Sequence, residues 1–279
     1  FTSNRCTGTG GGAIWQLDGT LDLTRSEFTS NLCDGGSRSA GGSIYLTNVT
    51  GGEWDGCSFR DSQCRTTNRS GVSEGGDAYF YNSSLFLNGS EFEDSQAYSF
   101  GSGNSLSEDF TNRARGGSLR LVASSLQVRS CTFTSSNAYA KVNVEGVNRD
   151  GVALSRGGAI SLAVGSSIFS SDSLFQSCVA EAISQDCCSA ASPFCSLGGA
   201  LEYSASTGFL EASEFKDCDS FGSGPLTTPY GACVRNGNGG ALYFGDLSSP
   251  NFLNCTFTNC DAYQGGAAHL QDRSSPYFT

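Results

Sequence analysis

The chain has 279 residues, and 38% of them are hydrophobic, enough for a substantial core and too many for general disorder. Its net charge of −11, with Lys141 and Lys216 the only lysines, repels phosphate backbones, so no nucleic-acid partner is expected. No apolar run approaches the roughly 18 residues that a membrane-spanning helix needs.

Taken in chain order, the sequence repeats. A Gly-Gly pair, a small residue and an aliphatic one recur eight times: GGAIW from Gly11, GGSIY from Gly41, GGDAY from Gly75, GGSLR from Gly116, GGAIS from Gly157, GGALE from Gly198, GGALY from Gly239 and GGAAH from Gly265. From Gly75 through Gly116, Gly157 and Gly198 to Gly239 the intervals are identical, a single period. Between the copies runs a second motif, a phenylalanine with Asn, Ser or Cys three residues later, headed by Phe1, Phe28, Phe59, Phe92, Phe133, Phe175, Phe215 and Phe257. The step from Gly-Gly to the next such Phe never varies by more than one position, as from Gly11 to Phe28 and from Gly41 to Phe59. The return varies widely, from the short step between Phe257 and Gly265 to the long one between Phe92 and Gly116. One half of the repeat is therefore rigid and the other absorbs insertions, as in a solenoid with long loops on one side.

Alternation with period two marks the strands. After each Gly-Gly the aliphatic residue (Ile14, Ile44, Ala78, Leu119, Ile160, Leu201, Leu242, Ala268) points inward, and an apolar residue follows two positions on in most copies. The residue between them (Trp15, Tyr45, Tyr79, Arg120, Ser161, Glu202, Tyr243, His269) faces outward on this reading. With a short strand such as Ser124–Val128 and the Phe strand, each coil has three strands. The expectation is an all-β right-handed parallel β-helix, one domain over residues 1–279, of about eight coils and about 38 Å in height at ~4.8 Å per coil. The phenylalanines stack inside it.

The GGAI and FxxN motifs resemble the repeats of the polymorphic outer-membrane proteins, with Gly11–Ile14 and Phe1–Asn4 nearest that pattern. The resemblance implies a right-handed β-helix passenger of the kind that serves bacterial surfaces as an adhesin. Later copies depart from it, the Asn becoming Ser at Ser62, Ser95 and Ser136 and Cys at Cys178, Cys218 and Cys260.

Thirteen cysteines with a single histidine, His269, and no C-x-x-C ladder point to an oxidising compartment rather than a metal site. Cys178, Cys218 and Cys260 form one column, Cys6, Cys33 and Cys64 a second, and Cys57, Cys131 and Cys255 a third. Neighbouring coils bring Cα atoms within disulfide range, so the columns read equally as disulfides or as packed thiols. Cys187, Cys188, Cys195 and Cys233 fall in the long loops and are expected to form disulfides between them.

Sequons at Asn48, Asn68, Asn82, Asn88 and Asn254 predict N-linked glycans, Asn48 and Asn82 at the same turn of neighbouring coils. Trp15, Tyr45 and Tyr79 form an outward stripe suited to a glycan or a protein partner, or else covered by loops. Catalysis would need clustered carboxylates beside a base. The nearest approach, Arg60 with Asp61, Glu93 and Asp94, reads as a solvated face, and Glu202, Glu211 and Glu214 read as surface charge. No cofactor is expected, and calcium is the one ion that turns such as Ser107–Asp109 or Asp217–Asp219 would suit.

The chain starts at Phe1 without a methionine and ends on Ser275–Phe278, which echoes Ser249–Phe252, so the solenoid is expected to continue or to self-associate end to end. The sequence thus predicts a non-enzymatic, extracellular or cell-surface structural protein, a subunit of a filament, sheath or adhesin. The alternatives are a polysaccharide lyase or hydrolase, and a pure glycan-binding adhesin.

Overall fold

The computed structural model describes residues 1–68, 70–103, 110–144, 151–183, 196–223 and 237–279. Among them every regular element is a β-strand and every strand pairing is parallel. The repeat from Gly75 contains Ala78–Tyr81, Ser84–Asn88, Glu91–Glu93, Gln96–Gly103 and Phe110–Arg115. Each of these pairs in register with the equivalent strand one period later: Ala78 with Leu119, Leu85 with Leu126, Phe92 with Phe133, Ala97 with Ala138 and Phe110 with Gly151. The strands collect into four sheets, of eight, six, fifteen and seven strands. In the largest, the long strand Ile44–Asp55 joins the first and second strand positions of the repeat.

The glycine pair divides its labour. Gly75 sits at φ 67°, in the left-handed region, with backbone oxygen and carbon of Ala78 where a Cβ would go. Gly76 serves stacking, because a Cβ there would lie 1.9 Å from the carbonyl oxygen of Gly117 in the next repeat. The Phe motif turns by a different device. Its third residue, as at Ser30, Asp61, Asp94, Ser135 and Asp217, takes a φ of 53°. Asp is among the side chains most often found in that conformation.

The phenylalanine column is a continuous pile from Phe1 to Phe257, with centroids 4.7–4.9 Å apart and planes within 9°. Facing it are Ile44, Leu46, Phe80, Leu119, Leu121, Leu162 and Leu201, all buried. Beside the pile runs an interior polar line. Asn4 Nδ2 donates to Asn31 Oδ1 at 2.9 Å, Asn31 Nδ2 to Ser43 Oγ at 3.1 Å, and Ser43 and Ser62 share a 2.8 Å hydroxyl bond. Asp77 follows, fully buried amid Ser62, Ser95 and Ser118, and then Ser118 bonds Ser136 at 2.6 Å. In the last repeats Ala159, Ala200 and Ala241 replace the first member of each pair, and Cys178, Cys218 and Cys260 the second.

The expected three strands per repeat are five. The two additional strands follow the Phe motif and precede Gly-Gly, in residues read from sequence as loop. Their inward residues do alternate, but they are small: Ala97, Ala138, Ala140 and Ala182 on one strand position, Ala114 and Ala153 on the other, packed with Val142 as a second core. Side chains this short leave no hydrophobic period to read. The length variation falls between these two strands, where residues 104–109, 145–150, 184–195 and 224–236 lie outside the described set.

Candidate functional site: an arginine-lined cleft beside a tyrosine stack

Strands that precede Gly-Gly meet those that follow it at an elbow, and there the outward columns are not open to solvent. Tyr79 is 2% exposed, Arg120 5% and Glu202 1%. The stripe expected of Trp15, Tyr45 and Tyr79 is therefore broken up. Trp15 is 63% exposed, Tyr45 is half-buried and stacks on Tyr79 at 5.1 Å, and Tyr79 is interior. The expectation of surface charge is likewise corrected at Glu202, while Glu211 is half-buried and Glu214 exposed. The cause is the extra strand before Gly-Gly, whose last residues fold over this column.

Those residues supply the partners. Arg38 reaches Glu74 Oε2 through Nε at 3.1 Å and Nη2 at 2.8 Å, and Nη2 also donates to the Tyr79 hydroxyl at 3.0 Å. Arg115 Nη1 lies 3.2 Å from Glu74 Oε1, and Arg120 Nε 3.4 Å from the same oxygen. One repeat on, Arg120 Nη1 donates to Ser161 Oγ at 2.5 Å, Ser161 donates to Glu202 Oε2 at 2.6 Å, and Arg156 Nη1 stands 3.5 Å from Glu202 Oε1. The ladder thus runs Arg38, Glu74, Arg115 and Arg120, Ser161, Glu202, Arg156.

Burial alone would raise the Glu74 carboxyl, but Arg120, Arg115 and Arg38 outweigh it and hold it below the usual carboxylate value. Burial and the nearby Arg115 lower the Arg120 guanidinium. Burial, with Glu74 adding to it, pushes the Tyr79 phenol up to about 12. The ladder opens into a cleft of about 550 Å³ lined by Arg38, Tyr45, Glu74, Tyr79, Arg115 and Arg120, with Tyr81 at its rim. Glu74, Arg38, Arg115 and Arg156 carry this site and were not singled out from the sequence. The available signal was positional: Glu74, Arg115 and Arg156 all immediately precede a Gly-Gly pair.

The other candidate residues lie apart. Arg60 pairs with Glu93 at 3.2 Å and Glu91 at 3.6 Å, all on an open face, while Asp61 and Asp94 are turn formers at φ 53°. Asn48, Asn68, Asn82 and Asn254 are exposed. Asn82 Nδ2 donates to Asn48 Oδ1 at 2.8 Å, and Asn88 is half-buried and tied to Asp55 at 2.7 Å.

Cys6, Cys33 and Cys64, like Cys178, Cys218 and Cys260, stand as free thiols. Cys6, Cys33 and Cys64 pair in register along parallel strands, which sets equivalent Cβ atoms about 4.8 Å apart, beyond the ~3.8 Å typical of a disulfide. Hydrogen bonding from Cys64 lowers the Cys33 thiol, and burial raises Cys64. Cys187, Cys188, Cys195 and Cys233 lie outside the described residues, as does the turn Ser107–Asp109. Asp217 is a turn former, and the Asp219 carboxylate accepts the Asp261 amide at 3.3 Å. Among the described residues no three His, Cys, Asp or Glu side chains are grouped to hold a metal, and no helix is long and apolar enough to cross a membrane.

No protein-family model matches the chain, and no match was found among curated proteins or solved structures.

Proposed function

We propose that the chain is a right-handed parallel β-helix acting outside the cell as a non-enzymatic structural protein, a subunit of a surface filament, sheath or adhesin. The observation that carries this reading is the cyclic strand order. Five strands pass in turn through the sheets, and the sixth returns to pair with the first, one period on, in parallel register. Parallel crossovers within one sheet are right-handed in nearly all proteins. Such an assembly forms a stiff rod whose insertions cluster at one place in the repeat, a plan suited to display and contact.

Two further features support the assignment. The exposed turn of Asn48 and Asn82 suits N-linked glycans. Glu74 is held ionised by arginines, the state of a structural ion pair rather than of a proton donor. The likeness of the repeat to the polymorphic outer-membrane proteins points the same way.

Cryo-electron microscopy of native material tests this reading. The expected result is rods joined coil on coil, or displayed on a surface, with branched density at Asn48 and Asn82. Dispersed monomers that shorten acidic polysaccharides, with the activity lost in Asp61→Asn or Asp94→Asn, would replace it with the lyase or hydrolase alternative.

A further inference from the structure

We propose that the elbow cleft binds an acidic saccharide, its carboxylate or sulfate group received by Arg38, Arg115 and Arg120 and a sugar face by Tyr81. The first argument is charge. Three guanidiniums face the single carboxylate of Glu74, which leaves two positive charges within the cleft. Arg113 and Arg156 lie on the same strand face, with Glu202 as the only other carboxylate in the ladder. Five arginines against two glutamates leave a local excess of three in a chain of net charge −11.

Of these arginines only Arg120 is buried, and Glu74 and Glu202 compensate it, whereas the Arg38, Arg115 and Arg156 side chains are 48%, 21% and 31% exposed and keep charge available to a ligand. Here the donors are not all used. Arg115 Nε is buried without a hydrogen bond, while Arg120 Nε is turned to Glu74 Oε1 at 3.4 Å. Arg113 is exposed and, among the described residues, has no ion-pair partner, so its charge is open to a ligand. Planar guanidinium forks with open N–H groups match carboxylate and sulfate oxygens.

The second argument is shape. The cleft of about 550 Å³ has room for one or two sugar rings. Tyr81 is 45% exposed at its rim, and Tyr45 lies flat on Tyr79 with planes 9° apart. Aromatic faces of this kind take the apolar side of a pyranose while the hydroxyls stay wet. The acidic remainder of the chain opposes a long polyanion, so the fit is to a single acidic residue, such as a chain end or a branch.

The inference deepens the adhesive reading and rests on it for why a saccharide is met. The test is calorimetric titration of the intact protein with trigalacturonate, a sulfated heparin disaccharide and neutral maltotriose. Binding of at least one acidic probe, ten-fold or more tighter than maltotriose and weakened ten-fold by Arg115→Gln and by Tyr81→Ala, is expected. The stronger acidic probe assigns carboxylate or sulfate. Equal binding of maltotriose, no binding of either acidic probe, or acidic binding unchanged in Tyr81→Ala overturns the proposal. Tyr81 makes no ion pair, so that variant remains decisive if Arg115→Gln fails to fold. Acidic-probe binding by a protein that plays no part in surface attachment would keep the site and remove the adhesive reading.

Discussion

Ser161 donates its hydroxyl proton to Glu202 Oε2 at 2.6 Å while accepting from Arg120 Nη1, and so joins two buried charges that stand 3.9 Å apart without it. A neutral side chain is thereby the hinge of the ladder. Ser161→Ala is expected to cost about 1–3 kcal/mol. Glu202→Ala, which strips Arg120 and Arg156 of their shared carboxylate, should cost about 3–5 kcal/mol. Urea denaturation checks both, and equal small losses would show the ladder to be solvated rather than interior.

Asp77 sets a pH dependence whose sign is unusual for an acid. Burial raises its carboxyl from 3.8 to about 8, outweighing the favourable contributions of Ser95, Ser62 and Ser118. Below about pH 4 both folded and unfolded chains are protonated there. Between about pH 4 and about pH 8 the folded chain keeps a proton that the unfolded chain releases, so this group removes about 1.4 kcal/mol of stability per pH unit. Asp77→Asn, or Asp77→Ser to match Ser43 and Ser118, should abolish that decline, so that its advantage over the wild type grows by about 1.4 kcal/mol per pH unit, to about 5 kcal/mol between pH 4 and pH 8. Superimposable pH–stability curves for wild type and variant would refute it.

The pairing of Cys with Ala and of Ser with Ser is a packing code, and it has a double-mutant test. Cys218 meets Ala200 where Ser136 meets Ser118 in an earlier repeat. Cys218→Ser alone sets a smaller hydroxyl beside the Ala200 methyl, where only the Phe175 and Lys216 carbonyls can accept from it, and should cost about 1 kcal/mol. Adding Ala200→Ser should restore part of that loss, with a coupling of about 0.5–1.5 kcal/mol in the favourable direction. Strict additivity of the two substitutions in chemical denaturation would argue against the code.

Two glycines separate stacking from conformation. At Gly117 a Cβ would meet the Gly158 carbonyl oxygen at 1.9 Å and the Asn137 amide nitrogen at 2.4 Å, so Gly117→Ala should break the stack and yield insoluble or unfolded chain. At Gly89 the space is open and only φ 53° opposes a side chain, so Gly89→Asn should cost under about 1 kcal/mol. Expression and thermal melting of both variants distinguish the two roles.

Much of the strand plan was legible in the sequence because large residues announce it. The Phe column and the Ile44, Leu119 and Leu201 column alternate with polar neighbours, and their partners are fixed by the even spacing of the Gly-Gly pairs. The strands built on Ala97, Ala138 and Ala153 were not legible, since alanine and serine give no contrast between inside and outside. That omission concealed the site. Without the strand before Gly-Gly, the column of Tyr79, Arg120 and Glu202 has nothing above it and reads as surface. With that strand, Glu74 and Arg115 fall across the column and the outward side becomes an interior. Asp61 and Asp94 read as part of a solvated face and are exposed; what the sequence did not show is that the left-handed turn, at φ 53°, selects Asp there for its backbone rather than for its charge.

The identity of register between neighbouring repeats has a genetic consequence. Gly76, Gly117, Gly158 and Gly199 each abut the equivalent glycine one period on, so recombination that joins one repeat to another at the same codon position preserves the backbone register across the seam, while repeat-specific pairs such as Glu74 with Arg120 would be lost. Unequal crossing-over would lengthen or shorten the gene by one whole period of codons, without a frame change. Crossovers within the Ser-paired or within the Cys-paired group would also conserve the interior chemistry. Those between the two groups would set a hydroxyl beside a thiol. Register thus constrains which copies could replace one another, and the interior side-chain pairs narrow that set further.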